Sequence, residues 1–458
     1  MNRKLEDYIQ PGRRAHLVGI GGVSMASLAE VLKGEGVAVT GSDMRESGAV
    51  AHLRSLGIPV AIGHRAESVG GADCVIRTAA VHDDNPEIAA ALAAGVPVFE
   101  RAEAWGALMR RYQNALCVAG THGKTTTTSM CTHIFLAAGR DPSVMLGGSL
   151  PILGGGHRVG RGDTIIAEAC EYRDSFLSFA PTVAVVLNVE EDHLDYFKDL
   201  DAIKRSFRRF AELTLPSGSV IVNADNAGAR SIAHGLDAFT FGLGEGAECT
   251  AADLHEEEGC PVFDILVHGG RYAHVKLQVY GTHNVSNALA AASAAYVLGI
   301  PGEAVEEGLA SFTGAGRRFE KKGSYHGADV YDDYAHHPDE LRALLTMAKT
   351  RRCQRVVCAF QPHTYSRTAA LLDRFAEALK LADVVVLAPI YAARETDTLG
   401  MSSEKLARGI PGAACCGSLE AVTARLAEIA RPGDLILTVG AGDIHLAGEA
   451  LVKLGKNE

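Results

Sequence analysis

Eight consecutive residues, Gly120-Thr121-His122-Gly123-Lys124-Thr125-Thr126-Thr127, have the types and spacing to hold a phosphate chain. They follow a short apolar run, Leu116 to Ala119, and precede a helix-like segment from Thr125 to Ala138. A strand that turns through glycines into a helix start presents bare N–H groups and a positive dipole end to an anion. Lys124 adds a point charge within reach of a terminal phosphate, and Thr125 can place its hydroxyl on magnesium. The spacing is G-x-x-G-K-T. The longer G-x-x-x-x-G-K-[ST] form would need glycine at 118, where Val118 stands. The chemistry this predicts is ATP binding by an enzyme; the competing reading is a plain turn with a chance lysine.

Other polar groups fall where strands should end. Glu168 closes the run Ile165-Ile166-Ala167, the place for a carboxylate that holds magnesium beside a phosphate loop, with Glu171 in support. The competing role is a structural carboxylate paired with Arg173. Asn188 to Asp195 end a second apolar run, and His193 there could take a second metal through neutral imidazole. Asn284 and Asn287, three apart on one helix, share a face and could grip an adenine edge or a phosphate. Arg317 and Arg318 follow Gly316 at a junction between blocks, where an arginine can swing onto a transferring phosphate. Asp332 to Pro338 and Gln361 to Arg367 form polar clusters at successive strand ends, the ligand edge of an open α/β sheet. Near the start, Gly19-Ile20-Gly21-Gly22-Val23-Ser24 nearly matches a dinucleotide fingerprint, with Ser24 in the third glycine position. It supports a nucleotide or diphosphate at a helix start. Asp43 is placed either to accept from a sugar hydroxyl or to cap a turn.

These groups need elements to carry them, and the chain reads as three α/β blocks. The first has strands at Ala15–Ile20, Val37–Thr40, Cys74–Thr78 and Val96–Phe99, with a helix over Met25–Lys33. Strands alternating with helices imply a parallel sheet covered on both faces. The second starts near Ala115 and adds a buried strand over Val183–Leu187 and an amphipathic helix over Asp201–Leu213. It continues with a hairpin turning at Gly269-Gly270 and a helix over Asn284–Leu298 capped at His283 or Asn284. The third has strands over Asp329–Tyr331, Arg355–Phe360, Val384–Ala388 and Leu435–Val439, with helices over Pro338–Thr350 and Thr364–Leu381.

Bulk properties agree with such a chain. Its 458 residues exceed one core. A net charge of −11 argues against general nucleic-acid binding and requires local positive charge for any polyanionic substrate. The ten cysteines show no C-x-x-C spacing, which points to free thiols in a reducing compartment. The N-terminus lacks the apolar core of a signal peptide, and no apolar run is long enough to span a bilayer, so a cytoplasmic location is expected.

Eight segments in order, VGIGGVSMASLAE, GTHGKTTTTSM, EACEYRDSFL, NVEEDHLDYF, GTHNVSNALAAA, GRRFE, VYDDYAHHPDEL and FQPHTYSRT, together resemble the Mur ligases of bacterial peptidoglycan synthesis. The resemblance spans Val18 to Arg367 and implies an α/β protein of three domains. These are a Rossmann-like UDP-sugar-binding domain over 1–112, a central P-loop-type ATPase domain with a mixed sheet over 113–315, and a Rossmann-like C-terminal domain over 316–458. It implies an ATP- and Mg²⁺-dependent amide-bond ligase. The closest likeness is to the activity that joins L-alanine to the lactyl carboxylate of UDP-N-acetylmuramate, through an acyl phosphate. Partners would be these small molecules, with no nucleic acid and no membrane.

The resemblance also implies roles. Gly120, Thr121, His122, Gly123, Lys124, Thr125 and Thr126 would cradle ATP, with Asn284 and Asn287 near the nucleotide. Thr125 and Glu168 would hold one magnesium and His193 a second. Arg318 and Asp333 would contact ATP as the C-terminal domain closes. Tyr334, His336 and Arg367 would surround the alanine and the muramyl carboxylate, with His336 a candidate base for the amine. Gly21, Gly22, Ser42 and Asp43 would line the UDP site. Two departures stand out. Ser24 replaces a glycine, and Lys204, in the helix where several relatives carry a carbamylated lysine, lies among Arg205, Arg208 and Arg209. A sister ligase that attaches a recycled tripeptide to the same UDP-sugar shares this architecture. A dehydrogenase would leave the 120–127 loop without a role, and a non-catalytic nucleotide or UDP-sugar sensor would bind without releasing phosphate.

Overall fold

The computed structural model describes residues 4–457 except 79, 194, 195, 215, 216 and 394. The chain divides into two compact units, Met1–Thr313 and Gly314–Glu458.

The first unit holds two sheets. One contains β1 (Arg14–Val18), β2 (Ala38–Asp43), β3 (Val60–Ile62), β4 (Cys74–Arg77) and β5 (Val98–Glu100), all parallel in the order β3-β2-β1-β4-β5. The order reverses beside β1, which places the crevice for a ligand at its carboxyl end. The connection from β3 to β4 carries only a single 3₁₀ turn, Ala66–Val69, where a doubly wound sheet usually has a helix.

The second sheet contains β6 (Asn114–Ala119), β7 (Ser143–Leu150), β8 (Gly155–Arg158), β9 (Thr164–Glu168), β10 (Val183–Val186), β11 (Ser219–Asn223), β12 (Ala238–Phe241), β13 (Cys249–Glu257), β14 (Cys260–Val267) and β15 (Gly270–Lys276). Its order is β15-β14-β13-β12-β11-β10-β6-β9-β7-β8. The centre is parallel and both edges are antiparallel, so the sheet is mixed. β6 and β10 are buried almost throughout, as flanked parallel strands must be. One apolar core runs between the two sheets, joining Leu17, Trp105, Phe176 and Phe207.

The second unit is a six-stranded sheet of β16 (Glu320–Tyr325), β17 (Ala328–Asp333), β18 (Arg355–Phe360), β19 (Val384–Leu387), β20 (Ala414–Cys415) and β21 (Asp434–Val439), in the order β16-β17-β21-β18-β19-β20. Only β16 is antiparallel among its described strands.

Two expected elements differ. The helix read over Thr364–Leu381 is two helices, Tyr365–Ala370 and Leu372–Leu379, broken at Leu371, whose φ of −116° and ψ of 20° are not helical. The helix read from Asn284 begins at Thr282 and is capped by Gly281 at φ 91°, a conformation that His283 or Asn284 would adopt only under strain. None of the ten cysteines is joined in a disulfide among the described residues. No helix among the described residues is long and apolar enough to cross a membrane.

Candidate active site

The phosphate loop is built at the carboxyl end of β6. Gly120 has φ 156°, and Gly123 sits at φ 82° as N-cap of the helix Lys124–Ala137. A Cβ at Gly123 would lie 2.7 Å from Asn287 Oδ1, so both left-handed geometry and crowding demand glycine there. Asn188, at the end of β10, clamps the loop. Its Oδ1 accepts from His122 N at 2.7 Å, and its Nδ2 donates to His122 O at 3.1 Å. Thr121 Oγ1 accepts from Glu190 N at 2.9 Å. These bonds fix the loop's shape and leave the N–H groups of the helix start for an anion.

Lys124 is almost enclosed. Its Nζ lies 3.0 Å from Glu171 Oε2 and donates to Thr121 O at 3.1 Å. Burial pulls its pKa down, but the carboxylate of Glu171 overcomes this and holds the ammonium above its ordinary value. The competing pairing of a carboxylate here with Arg173 is not formed; Arg173 lies 5.7 Å from the Tyr172 ring centroid.

Two groups of hard donors flank the lysine. Thr125 Oγ1 donates to Glu168 Oε1 at 3.0 Å, and Glu168 Oε2 accepts from Gly147 N of β7 at 2.7 Å. A Cβ at Gly147 would stand 2.9 Å from Glu168, so glycine lets this backbone close on the carboxylate. His193, at φ 52°, places Nε2 at 3.8 Å from Glu171 and 3.7 Å from Asp192, and these three could share one ion. The expected metal set is therefore two groups, Thr125 with Glu168 and His193 with Glu171 and Asp192. Carboxylate and hydroxyl oxygens suit Mg²⁺, which keeps several waters and takes few protein ligands. Asp195, part of the polar run read from the sequence, lies outside the described residues.

Asn284 and Asn287 act as a relay to the loop. Asn284 Nδ2 donates to Tyr280 O at 2.8 Å, and Asn287 Nδ2 donates to Asn284 Oδ1 at 3.1 Å. Thr127 Oγ1 donates to Asn287 Oδ1 at 3.2 Å.

The glycine turn after β1 is braced by β2. Gly19 and Ile20 donate backbone N–H groups to Ser42 O at 2.9 and 3.0 Å, and Gly21 N donates to Asp43 Oδ2 at 2.9 Å. Asp43 also accepts from Arg45 N at 3.3 Å, so it serves as the brace of the turn. Gly22 caps the helix Val23–Gly34. Ser24 has a role of its own, since its hydroxyl accepts from the Nε1 of Trp105, the chain's single tryptophan, at 3.2 Å. The hydroxyl of Ser42 is turned inward and fully buried, away from the edge where it was expected. Lys204 pairs weakly with Asp201 at 3.7 Å.

In the second unit, the two arginines divide their tasks. Arg317 donates Nε to Asp332 Oδ2 at 2.8 Å and reaches the carbonyls of Gly440 and Gly442, so it anchors the segment. Arg318 is held over the ring of Tyr334 at 5.4 Å. Asp333 accepts from Ala335 N and Phe319 N, each at 2.8 Å. Burial pushes its carboxyl up to about 6, against the opposing charge of Arg318 and these two N–H groups.

His336 Nδ1 faces Tyr334 O at 3.1 Å, with Glu340 Oε2 3.4 Å away. Arg367 reaches His363 Nδ1 at 3.4 Å, and His363 stacks on Tyr391 with ring centroids 5.7 Å apart. Burial, then the charges of His336 and Arg367, bring His363 down to about 4. Sequence reading placed His363 in the polar cluster Gln361–Arg367 without giving it a role, and did not name Tyr391. Tyr391 joins them through backbone pairing of the 363 and 391 positions, which no local motif announces.

Three family models match the chain: "Mur ligase family, catalytic domain" over residues 14–113, "Mur ligase middle domain" over 118–295 and "Mur ligase, glutamate ligase domain" over 317–442. The chain belongs to the Mur ligase family. A UDP-N-acetylmuramate–L-alanine ligase from Caldanaerobacter subterraneus subsp. tengcongensis is 44% identical over 99% of this chain and 100% of its own. One of the same name from Agathobacter rectalis is 45% identical over 96% of this chain and 97% of its own. Among solved structures, a UDP-N-acetylmuramate–alanine ligase from Thermotoga maritima superposes with a TM-score of 0.80 at 32% identity, covering 97% of this chain and 99% of that one. A murein peptide ligase from Psychrobacter arcticus superposes at 0.73 with 24% identity, covering 98% of this chain and 99% of that one, a likeness of fold. The resemblance read from eight segments is thus borne out, as is the three-part α/β fold of a Mur ligase.

Proposed function

We propose that this Mur ligase joins the amine of L-alanine to the lactyl carboxylate of UDP-N-acetylmuramate, with ATP converted to ADP and phosphate. The observation that carries this is the full-length identity of 40–46% to ligases of that name. Residues 1–112 bind the UDP-sugar, 113–315 bind ATP and 316–458 bring the amino acid.

Amide formation from a free acid is uphill in water. The muramyl carboxylate therefore attacks the γ-phosphorus, ADP leaves, and an acyl phosphate results. The alanine amine then attacks the carbonyl carbon, the C–O bond to phosphate breaks, and the amine loses a proton. Two like unit charges ~4 Å apart repel by about 4 kcal/mol at an effective dielectric of ~20. Several such pairs meet when the carboxylate approaches ATP, so fixed cations are required. Lys124 leaves Glu171 to take a phosphate oxygen, the loop N–H groups hold the phosphate chain, and Arg318 adds a second cation. Mg²⁺, held by Thr125 and Glu168 with a second ion at His193, would neutralise phosphate charge. Asp333 orients the nucleotide with Arg318, and Asn284 and Asn287 support the loop beneath it. Tyr334, His336 and Arg367 hold the alanine and muramyl carboxylates, and His336 takes the amine proton. Gly21, Gly22 and Asp43 form the UDP edge, with Ser42 bracing the glycine turn from behind.

The deciding assay measures phosphate release with ATP, Mg²⁺, UDP-N-acetylmuramate and one acceptor at a time: L-alanine, glycine, L-serine or the L-alanyl-γ-D-glutamyl tripeptide. L-alanine should support turnover. Release with the tripeptide and none with L-alanine would transfer the reading to the sister ligase. Binding of both ligands with no release under any acceptor would make the chain a sensor.

A further inference from the structure

A polar turn, Asn223-Ala224-Asp225-Asn226, follows β11 at the carboxyl edge of the second sheet, beside the end of β10. Its own shape is fixed from the side of β12. Asn223 Oδ1 accepts from Asp225 N at 2.9 Å. Asp225 in turn accepts from Leu243 N at 2.6 Å and Gly244 N at 3.0 Å. A Cβ at Gly242 or Gly244 would stand 2.9 or 2.8 Å from Asp225, so glycine lets that backbone close on the carboxylate.

On this base Asn226 makes three bonds at once. Its Oδ1 accepts from Ala229 N at 2.9 Å, as N-cap of the helix Ala227–Ala233, and from Val189 N at 3.2 Å. Its Nδ2 donates to Glu190 Oε1 at 3.1 Å. A carboxamide oxygen has two lone pairs, so it serves both N–H groups, and a reversed amide would set its NH₂ against them. The first bond stabilises the helix. The other two leave the helix and grip residues 189 and 190. Gly228 brings the two segments together, since a Cβ there would lie 2.1 Å from Val189 O.

Residues 188–190 are the segment that shapes the phosphate loop. Thr121 N donates to Asn188 O at 3.1 Å, beside the three bonds from Asn188 and Glu190 to His122 and Thr121 already described. The strand ladder does not hold this segment, because β10 last pairs at Val186, with Ala119 of β6 and Val222 of β11. With β10 between β11 and β6, Asn226 holds 189 and 190 on the side away from the loop. The chain of bonds crosses three adjacent strand ends, from Asn226 through 188–190 to Thr121 and His122.

We propose that Asn226 is a positioning residue of the ATP site: through Val189 and Glu190 it fixes the backbone that holds Thr121 and His122, and so sets the affinity for the nucleotide's phosphate chain. This rests on the ATP-binding reading of the 120–127 loop. The residue type follows from the three bonds. Aspartate would cap the helix and accept from Val189 N, but would set a carboxylate against Glu190. Serine would cap the helix and is too short to hold the other two groups.

The test is calorimetric binding of ADP with Mg²⁺, and separately of UDP-N-acetylmuramate, to the full chain. Asn226→Asp should bind ADP about tenfold more weakly than wild type, the size of one hydrogen bond lost to a charged partner. Its Tm and its affinity for the UDP-sugar should stay as in wild type, because asparagine and aspartate cap a helix equally well. Asn226→Asp/Glu190→Gln puts the donor on the other side of the same contact and should recover most of the affinity for ADP. Asn226→Ser should also bind ADP about tenfold more weakly, with no recovery when Glu190→Gln is added. The proposal is overturned if Asn226→Asp and Asn226→Ser bind ADP as wild type does, which would leave Asn226 a helix cap alone. It is equally overturned if Glu190→Gln restores nothing to Asn226→Asp, or if ADP and UDP-sugar affinities fall together. Wild type that binds no ADP would remove the phosphate-loop reading itself.

Discussion

Lys124 Nζ and Glu171 Oε2 stand 3.0 Å apart, with side-chain exposures of 14% and 3%. The cation proposed to meet ATP is thus held in reserve by a carboxylate, which keeps it charged inside the fold. Lys124→Ala should lower turnover by at least 10²- to 10³-fold, the effect of removing one preorganised charge. It should also destabilise the protein by about 3–5 kcal/mol, because Glu171 would be left buried and uncompensated. The double variant Lys124→Ala/Glu171→Gln separates these effects. Thermal unfolding should show stability largely recovered, and phosphate release should stay low. Near-wild-type turnover in Lys124→Ala would remove the phosphate-loop assignment.

Glu168 receives hydrogen bonds from both Thr125 and Gly147, so Glu168→Gln keeps an acceptor of the same shape while deleting a charge. The fold should persist. The Mg²⁺ concentration for half-maximal activity should rise on the order of tenfold or more, as a lost carboxylate weakens a hard cation. A titration of activity against Mg²⁺ reads this directly; an unmoved midpoint would exclude Glu168 as a ligand.

The parts of the site legible in the sequence are those where one local segment does the work. The 120–125 loop needs glycine at two backbone positions and a lysine at the helix start, and those residues are contiguous. The strand-end clusters at Asp332–His337 and Gln361–Arg367 are likewise local. What stayed hidden is long-range. Asn188 grips His122 across 66 residues, and nothing about an asparagine after an apolar run announces its partner. Glu87 reads as an ordinary acidic residue of a helix first turn, yet it meets Ser42, 45 residues away. The break at Leu371 was invisible because leucine is a good helix former, and packing overrode propensity there. The hairpin of β7 and β8 is glycine-rich and lacks alternation, so periodicity could not report it.

Asp333 gives a pH-dependent test. Its folded carboxyl titrates at about 6 against an ordinary 3.8, so its contribution to stability is complete below pH ~3.8 and is lost as pH rises through about 6. Arg318 is the charge that limits this loss. Arg318→Ala should therefore destabilise the protein more at pH 8, where Asp333 is ionised, than at pH 5, where it is largely protonated. Carbon-13 titration of the Asp333 carboxyl should give a midpoint near 6 in wild type and a higher one in Arg318→Ala. A wild-type midpoint near 4 would show that burial does not govern this group.

Gly106 tests the packing of the first sheet's last helix, Arg101–Met109, on the turn that follows β9. A Cβ there would lie 1.8 Å from Ser178 O and 2.9 Å from its carbonyl carbon. Replacing a helical glycine by alanine usually stabilises by up to about 1 kcal/mol. Here the obstructing atoms are backbone and cannot rotate away, so overpacking of about 1–3 kcal/mol or more should win. Gly106→Ala should lower Tm by several degrees. Gly48→Ala is the control, since its Cβ would meet nothing within 4 Å, and it should leave Tm unchanged or slightly raised. Equal Tm values for the two variants would mean that the helix and the turn separate freely, and the contact at Ser178 would not be part of the folded core.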